Sequence, residues 1–131
     1  MMYLLDTCVV IPLLKGRNGI QEKLGSLGVE QCCLSELVLS ELLVGAYKTN
    51  KESEFHDIQF LRELFKTIPV DYAVLDRYAQ LRALLEQQGN RIDSMDLLIA
   101  ATALVHGHTL VTHNMHHFSR IPGLKMEDWI R

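Results

Sequence analysis

YLLDTCVVIPLL, residues 3–14, sets a single acid, Asp6, between two apolar runs. The run before it is short and unbroken, the pattern of a strand buried on both faces of a parallel sheet. The run after it begins a helix that contains Pro12. Proline is tolerated in a first helical turn, so the helix either starts near Pro12 or is kinked there. The acid at the junction admits two readings: it caps the helix by accepting a bond from a free amide, or it stands at the strand's carboxyl end as a functional group.

Outward from this stretch the same alternation repeats. GRNG (16–19) is a turn, and IQEKLGSLG forms a short amphipathic helix closed by Gly28. QCCL (31–34) reads as a second strand. Ser35 then caps a helix through ELVLSELLVGAY, with Glu36 favourably placed against the dipole and Gly45 loosening its end. In 52–66, Phe55, Ile58, Leu61 and Phe65 form a helical stripe. Phe60 and Leu64 widen it beyond one core contact, which points to a partner surface. TIPV (67–70) is a third strand, and Tyr72–Gln88 a helix with Val74, Tyr78, Leu81 and Leu85 on one face, ended by Gly89. DLLIAATALVHG (96–107) is apolar nearly all round, as in a buried helix, so its polar start needs a reason. TLVT (109–112) is a fourth strand, and IPGLKMEDWI closes the chain with a short edge strand. Short apolar strands alternating with helices specify an α/β fold whose mainly parallel sheet is covered on both faces.

At 131 residues, with 48% hydrophobic and 22% charged residues, the chain has the size and composition of one ordinary globular domain without a long disordered tail. Thirteen Lys and Arg against sixteen Asp and Glu give a net charge of −3, so any nucleic acid has to meet a local basic patch. Cys8, Cys32 and Cys33 are odd in number, sit in apolar surroundings and lack ligand spacing, as expected of reduced thiols in a cytoplasmic protein. No basic leader precedes a long apolar stretch and no run approaches a membrane span, so a soluble intracellular protein without membrane contact is expected.

Three acids stand where a packed α/β domain more often carries something apolar: Asp6, Glu41 within LSELLVG, and Asp96 opening the most hydrophobic helix. Each has a bland reading. Asp6 caps. Glu41 lies on a solvated face; it is five residues from Glu36, about 140° around a helix, so the two cannot aim the same way. Asp96 follows Asp93 at the spacing of a capping-box variant. Together they say more. Converging, partly buried carboxylates repel one another unless a divalent cation offsets their charge, and hard oxygen donors suit Mg²⁺ or Mn²⁺. The chemistry indicated is metal-assisted phosphodiester hydrolysis.

YLLDTCVVIPLL, LSELVLSELLVGA, RIDSMDLLIAATAL and TLVTHNMHHFSRIPGLKMEDW, in this order over nearly the whole chain, resemble the PIN-domain family, and within it the VapC toxins of prokaryotic toxin–antitoxin pairs. The resemblance implies a single three-layer α/β/α PIN-like domain over residues 1–131 and an Mg²⁺- or Mn²⁺-dependent endoribonuclease site. Its acids fall on Asp6, Glu41 and Asp96, as metal ligands and catalytic groups. Many PIN domains carry a further acid where this chain has Thr112, His113 and Asn114. The neutral Asn114 then positions a water, and a second tightly held metal is not implied. Asp93, where glycine is more usual, either adds a carboxylate or caps the helix. The hydroxyls of Thr7 and Thr112 each reach the site's water or cap a helix. The resemblance also implies in-line attack by water that leaves 5′-phosphate and 3′-hydroxyl ends, transfer or ribosomal RNA as substrate, a homodimer, and an antitoxin that covers the cleft and contacts the Phe55–Phe65 helix.

HNMHH (113–117) invites a zinc reading, but His106 and His108 flank a helix end and the spacing lacks regular Cys or acidic partners. The better reading sets His113, His116 or His117 at the rim against RNA phosphate, helped by Arg91, Arg120, Lys15 or Arg17. An aspartyl-phosphate phosphatase needs an acid two residues after Asp6, where Cys8 stands. The remaining alternative is a PIN-like fold kept as an RNA- or protein-binding module without catalysis.

Overall fold

The computed structural model describes residues 2–131. In chain order these form β1 (Tyr3–Leu5), α1 (Thr7–Leu14), α2 (Ile20–Leu27), a 3-10 turn (Val29–Gln31), β2 (Cys32–Ser35), α3 (Glu36–Thr49), α4 (Glu52–Leu64), β3 (Lys66–Ile68), α5 (Tyr72–Gln87), α6 (Ser94–His106), β4 (Thr109–Val111), α7 (Met115–Phe118) and β5 (Met126–Glu127). The strands lie parallel in the order β3-β2-β1-β4-β5. Leu4 and Leu5 point to opposite faces of β1 and both are fully buried, so helices cover both sides and the architecture is three-layer α/β/α.

The sheet order positions the site. From β1 the chain steps to β2 and β3, then returns to the other side of β1 for β4 and β5. The order therefore reverses between β1 and β4, the place where open parallel sheets leave a crevice beyond their carboxyl ends. Pairing of Leu5 with Val111 sets Asp6 beside Thr112, and the Asp6 amide donates to the Val111 carbonyl at 2.9 Å.

Local chemistry closes the helices around this sheet. Ser35, Asp71 and Asp93 accept from Leu37, Val74 and Met95 amides at 3.1, 3.0 and 3.1 Å, capping α3, α5 and α6. Ala100, Ala101 and Ala103 on α6 are fully buried, and their small side chains allow α6 to pack along α5. Gly107 ends α6 in the left-handed region, which lets the His108 amide reach back to Ala103 at 2.9 Å. At the chain's end, buried Trp129 packs on Tyr3 with ring centroids 5.3 Å apart, fastening the terminal segment to β1.

Several elements differ from the sequence expectations. α1 starts at Thr7, so Pro12 lies inside it, past the first turn, and the helix runs only two residues further. β3 begins one residue early and stops at Ile68, because Pro69 has no amide for the ladder; the Val70 amide donates instead to Glu36 Oε1 at 2.7 Å. α3 runs through Gly45 to Thr49, and the one-turn α7 is additional. In the 52–66 stripe Ile58, Leu61 and Phe65 are buried, Phe55 packs edge-on against Tyr47, and Phe60 and Leu64 remain exposed. Among the described residues no helix is long and apolar enough to cross a membrane.

Candidate functional site

Asp6 is only 4% exposed, yet its carboxylate is well supplied with donors. Oδ1 accepts from the Thr7 amide at 2.8 Å, the capping interaction; Oδ2 accepts from the Thr112 hydroxyl at 2.9 Å and the Cys8 thiol at 3.4 Å. Capping therefore occupies one oxygen and leaves the other facing the β4 end. Each carboxylate oxygen has two acceptor sites, so Oδ1 keeps one for a further partner, and Oδ2 gains one if the long thiol contact gives way. Burial, and then the Asp6 charge, push the Cys8 thiol above its ordinary 9.0, which keeps it a protonated donor.

Glu41 reaches the same place from α3. The Thr7 hydroxyl donates to its Oε1 at 2.7 Å, tying α3 to the start of α1, while Glu36 points away to Val70. Asp96 enters from the first turn of α6, its Oδ2 3.8 Å from His117 Nδ1. Burial raises the Glu41 carboxyl above its ordinary 4.5; Asp6, Asp96 and Asp93 raise it further, against the Thr7 hydrogen bond. Burial likewise raises Asp96 above 3.8, with Asp6 and Asp93 adding to it and His117 opposing. The acids thus feel one another's charge across the crevice. Among the described residues none of them is ion-paired to a lysine or arginine.

The other sequence-derived residues divide. Thr112, fully buried, holds Asp6 and also accepts from the Asn114 amide at 3.0 Å. Asn114 is exposed and its side chain makes no cap bond to α7, so its backbone is what joins the network. Asp93 is the cap of α6 and lies near enough to raise both Glu41 and Asp96. His113 departs from the expected rim position: its ring is engaged by Asp128 Oδ2 at 3.0 Å, and only its amide turns inward, donating to Cys8 Sγ at 3.2 Å. His106 and His108 stack on each other at the far end of α6, with centroids 5.6 Å apart.

Two contributors carried no specific signal in the sequence. Cys8 read as a core thiol but touches both Asp6 and Thr112. Arg82 on α5 bridges the loop leading into α6, with Nη1 on the Ile92 carbonyl at 3.0 Å and Nη2 on Ser94 Oγ at 3.1 Å, and its guanidinium lies over the Tyr78 ring. It thereby holds the segment that delivers Asp93 and Asp96. The spacing of Tyr78 and Arg82, four apart on one helix, was the available hint.

Two clefts flank the acids. A groove of about 310 Å³ runs from Thr7 and Glu41 over Ile11, Leu14, Leu42 and Ile58. A smaller one of about 160 Å³ is bounded by Asp93 and Asp96 together with His117, Arg91 and Arg120.

The donor set fits a hard divalent cation: carboxylate oxygens that repel one another, no cationic side chain bridging them, and a nearby thiol that stays protonated. Among the described residues no three His, Cys, Asp or Glu side chains close on one point as a preformed metal cage. Mg²⁺ does not require one, because it keeps several waters and binds through one or two carboxylates.

A family model described as PIN domain matches residues 3–124. Ribonuclease VapC1 of Rickettsia felis is 34% identical over 127 residues, spanning 94% of this chain and 92% of that protein. The tRNA(fMet)-specific endonuclease VapC of Shigella flexneri is 30% identical over 128 residues, 97% of each. Among solved structures, VapBC2 from Rickettsia felis bound to a DNA fragment from its promoter superposes with a TM-score of 0.90 at 32% identity, covering 98% of this chain and 99% of that one.

Proposed function

The chain belongs to the PIN domain family, and from that premise we propose that it is a VapC-type toxin, a cytoplasmic endoribonuclease that uses Mg²⁺ or Mn²⁺ and is silenced by a cognate antitoxin. The observation that carries the reading is the Asp6 carboxylate, buried at the sheet's switch point, gripped by Thr7, Thr112 and Cys8, and sharing its crevice with Glu41 and Asp96.

Asp6, Glu41 and Asp96 would hold the cation, one or two of them directly and the rest through its waters, with Asp93 kept mainly as a helix cap. A bound cation supplies charge neutralisation at the scissile phosphate and activation of water. The chain's own residues set the geometry. The three donors on Asp6 fix its plane, the Thr7 hydroxyl turns Glu41 toward it, and Arg82 fixes the loop that presents Asp96. Water attacks in line, so the RNA 2′-hydroxyl is not consumed and the products carry 5′-phosphate and 3′-hydroxyl ends.

The apolar groove from Ile11 to Ile58 opens directly onto Thr7 and Glu41, and Glu54 and Asp57 give it an acidic edge. An antitoxin segment with apolar anchors and a basic residue suits it, and would cover the acids from the α4 side. A homodimer is supported by the apolar side chains left exposed on α3 and α5, Val44, Tyr47, Tyr72 and Leu75.

Expression of the wild-type chain and of Asp6→Asn in bacteria, followed by incubation of each purified protein with transfer and ribosomal RNAs, tests the reading. Growth arrest and cleavage are expected from the wild type with Mg²⁺ or Mn²⁺ and from neither the variant nor the chelated enzyme. Cleavage that persists in the variant or in chelator contradicts the mechanism, and RNA binding without cleavage in every metal turns the reading to a binding module.

A further inference from the structure

The smaller cleft sets two arginines beside the acid cluster without pairing them to it. Arg91 and Arg120 line it with Ile92, Asp93, Asp96 and His117. Although two carboxylates share the cleft, the described residues form only two ion pairs, His113–Asp128 and His117–Asp96, and neither involves an arginine. Arg120 makes two long contacts, Nη1 to Asn90 Oδ1 and Nη2 to the Arg91 carbonyl, both 3.4 Å, near the limit of a useful hydrogen bond. The Arg91 guanidinium makes none among the described residues. Asp93 is committed to its cap and Asp96 leans to His117, so neither acid is paired with the arginines of the cleft.

In a chain of net charge −3, two guanidiniums at one edge of the acidic crevice, Arg91 without a partner among the described residues and Arg120 held by long contacts alone, form a local basic patch for an RNA substrate. Guanidinium groups stay charged and offer forked donors that match phosphate oxygens. The cleft holds about 160 Å³, room for a phosphate group, and shares Arg91, Ile92 and Asp93 with a neighbouring cleft of about 480 Å³, so the guanidinium chemistry decides the ligand class.

We infer that this cleft is a phosphate subsite: Arg91 and Arg120 grip the RNA phosphate next to the scissile one, with His117 standing between that phosphate and Asp96. The inference rests on the ribonuclease reading. It adds a polarity to the site, with the acids acting on one phosphate and the arginines fixing the neighbour, so that the strand enters across the α6 start.

Binding of a labelled single-stranded oligoribonucleotide to Asp6→Asn protein, measured by anisotropy over a range of salt, tests it without relying on turnover. Arg91→Ala and Arg120→Ala should each flatten the dependence of log Kd on log salt by about 0.7, the contribution of one single-strand phosphate contact. Lysine at either position should keep the slope while weakening binding, and Arg62→Ala on α4 should change neither. A neutral methylphosphonate walked along the oligonucleotide should weaken binding most at one linkage, and that loss should vanish in the double alanine variant. Slopes equal to that of Arg62→Ala, or a methylphosphonate effect that survives in the double variant, overturn the subsite even where the wild-type enzyme cleaves RNA. A wild-type chain that neither binds nor cleaves RNA overturns the subsite and the ribonuclease reading together.

Discussion

The two sides of the acidic crevice are built to different standards of rigidity. On the β1–β4 side Asp6 is almost wholly buried and takes three donors, and the Thr112 hydroxyl that holds it is itself fully buried and anchored to the next turn through Asn114. On the α6 side Asp96 is half-buried, its carboxylate stands 3.8 Å from the ring of exposed His117, and the arginines beside it are barely tethered. A site that must place a reacting phosphate accurately yet admit a long polymer benefits from this division. The buried carboxylate supplies a fixed reference, and the open rim adapts to the strand.

If the fixed side anchors the chemistry, Asp6→Asn should cause the largest loss, roughly 10²–10³-fold in cleavage rate, with the circular dichroism spectrum unchanged. Thr112→Val comes next. It keeps shape but removes the hydroxyl that donates to Asp6 and accepts from Asn114, so metal affinity or activity should fall about 10–100-fold. Loss of the two hydrogen bonds made by the buried Thr112 hydroxyl should lower stability by about 1–3 kcal/mol, and Thr112→Ser should restore most of both. Equal effects from Thr112→Val and from a rim substitution would erase the contrast between the two sides.

Legibility in the sequence followed the same division, for a physical reason. Asp6, Glu41 and Asp96 could be picked out because a charged group in an otherwise apolar segment is costly and therefore conspicuous. The parallel sheet followed from unbroken apolar runs such as YLL. The cap bond from the Thr7 amide could be read from Asp6's place before a helix, but the grip of Thr112 on Asp6 could not, because Thr112 lies 106 residues away and meets it only through the β1–β4 register. Nor could the direction of a side chain at the end of a strand: of His113, His116 and His117, the three candidates for the rim, His117 lines the cleft with Arg91 and Arg120 while His113 pairs with Asp128. Asn114 joins through its amide, a group every residue but proline shares, so its type was uninformative. Pro69 shortened β3 as its missing amide requires, whereas Pro12 sits inside α1, where packing of Val9, Val10 and Leu13 outweighs the lost bond.

Two smaller effects sharpen the comparison. Glu41 and Asp96 hold protons more tightly in the folded chain than in the unfolded one, so the metal-free protein binds more protons than its unfolded state just above pH 4.5 and 3.8. Its stability should therefore fall as pH rises from these values through the raised folded ones. Glu41→Gln keeps an oxygen for the Thr7 hydroxyl and removes the repulsion; it should raise the metal-free Tm at neutral pH and flatten that decline, while abolishing the stabilisation seen on adding Mn²⁺. Thermal scans across pH check both. Asp93 should show the least. Asp93→Asn, still a good cap, should leave activity within a few-fold, whereas Asp93→Ala should cost about 1 kcal/mol of stability. A large activity loss in Asp93→Asn would instead make Asp93 a working carboxylate of the site.

The most direct measurement is the chemistry of the cut ends. Transfer RNA, whose cleavage is named in the Shigella flexneri relative, should be incubated with the purified chain and Mn²⁺ and the fragments ligated and sequenced. The expected result is 5′-phosphate and 3′-hydroxyl termini, formed only with metal and absent with Asp6→Asn. Fragments ending in 2′,3′-cyclic phosphate, or any cleavage in chelator, would contradict water attack at a carboxylate-held cation.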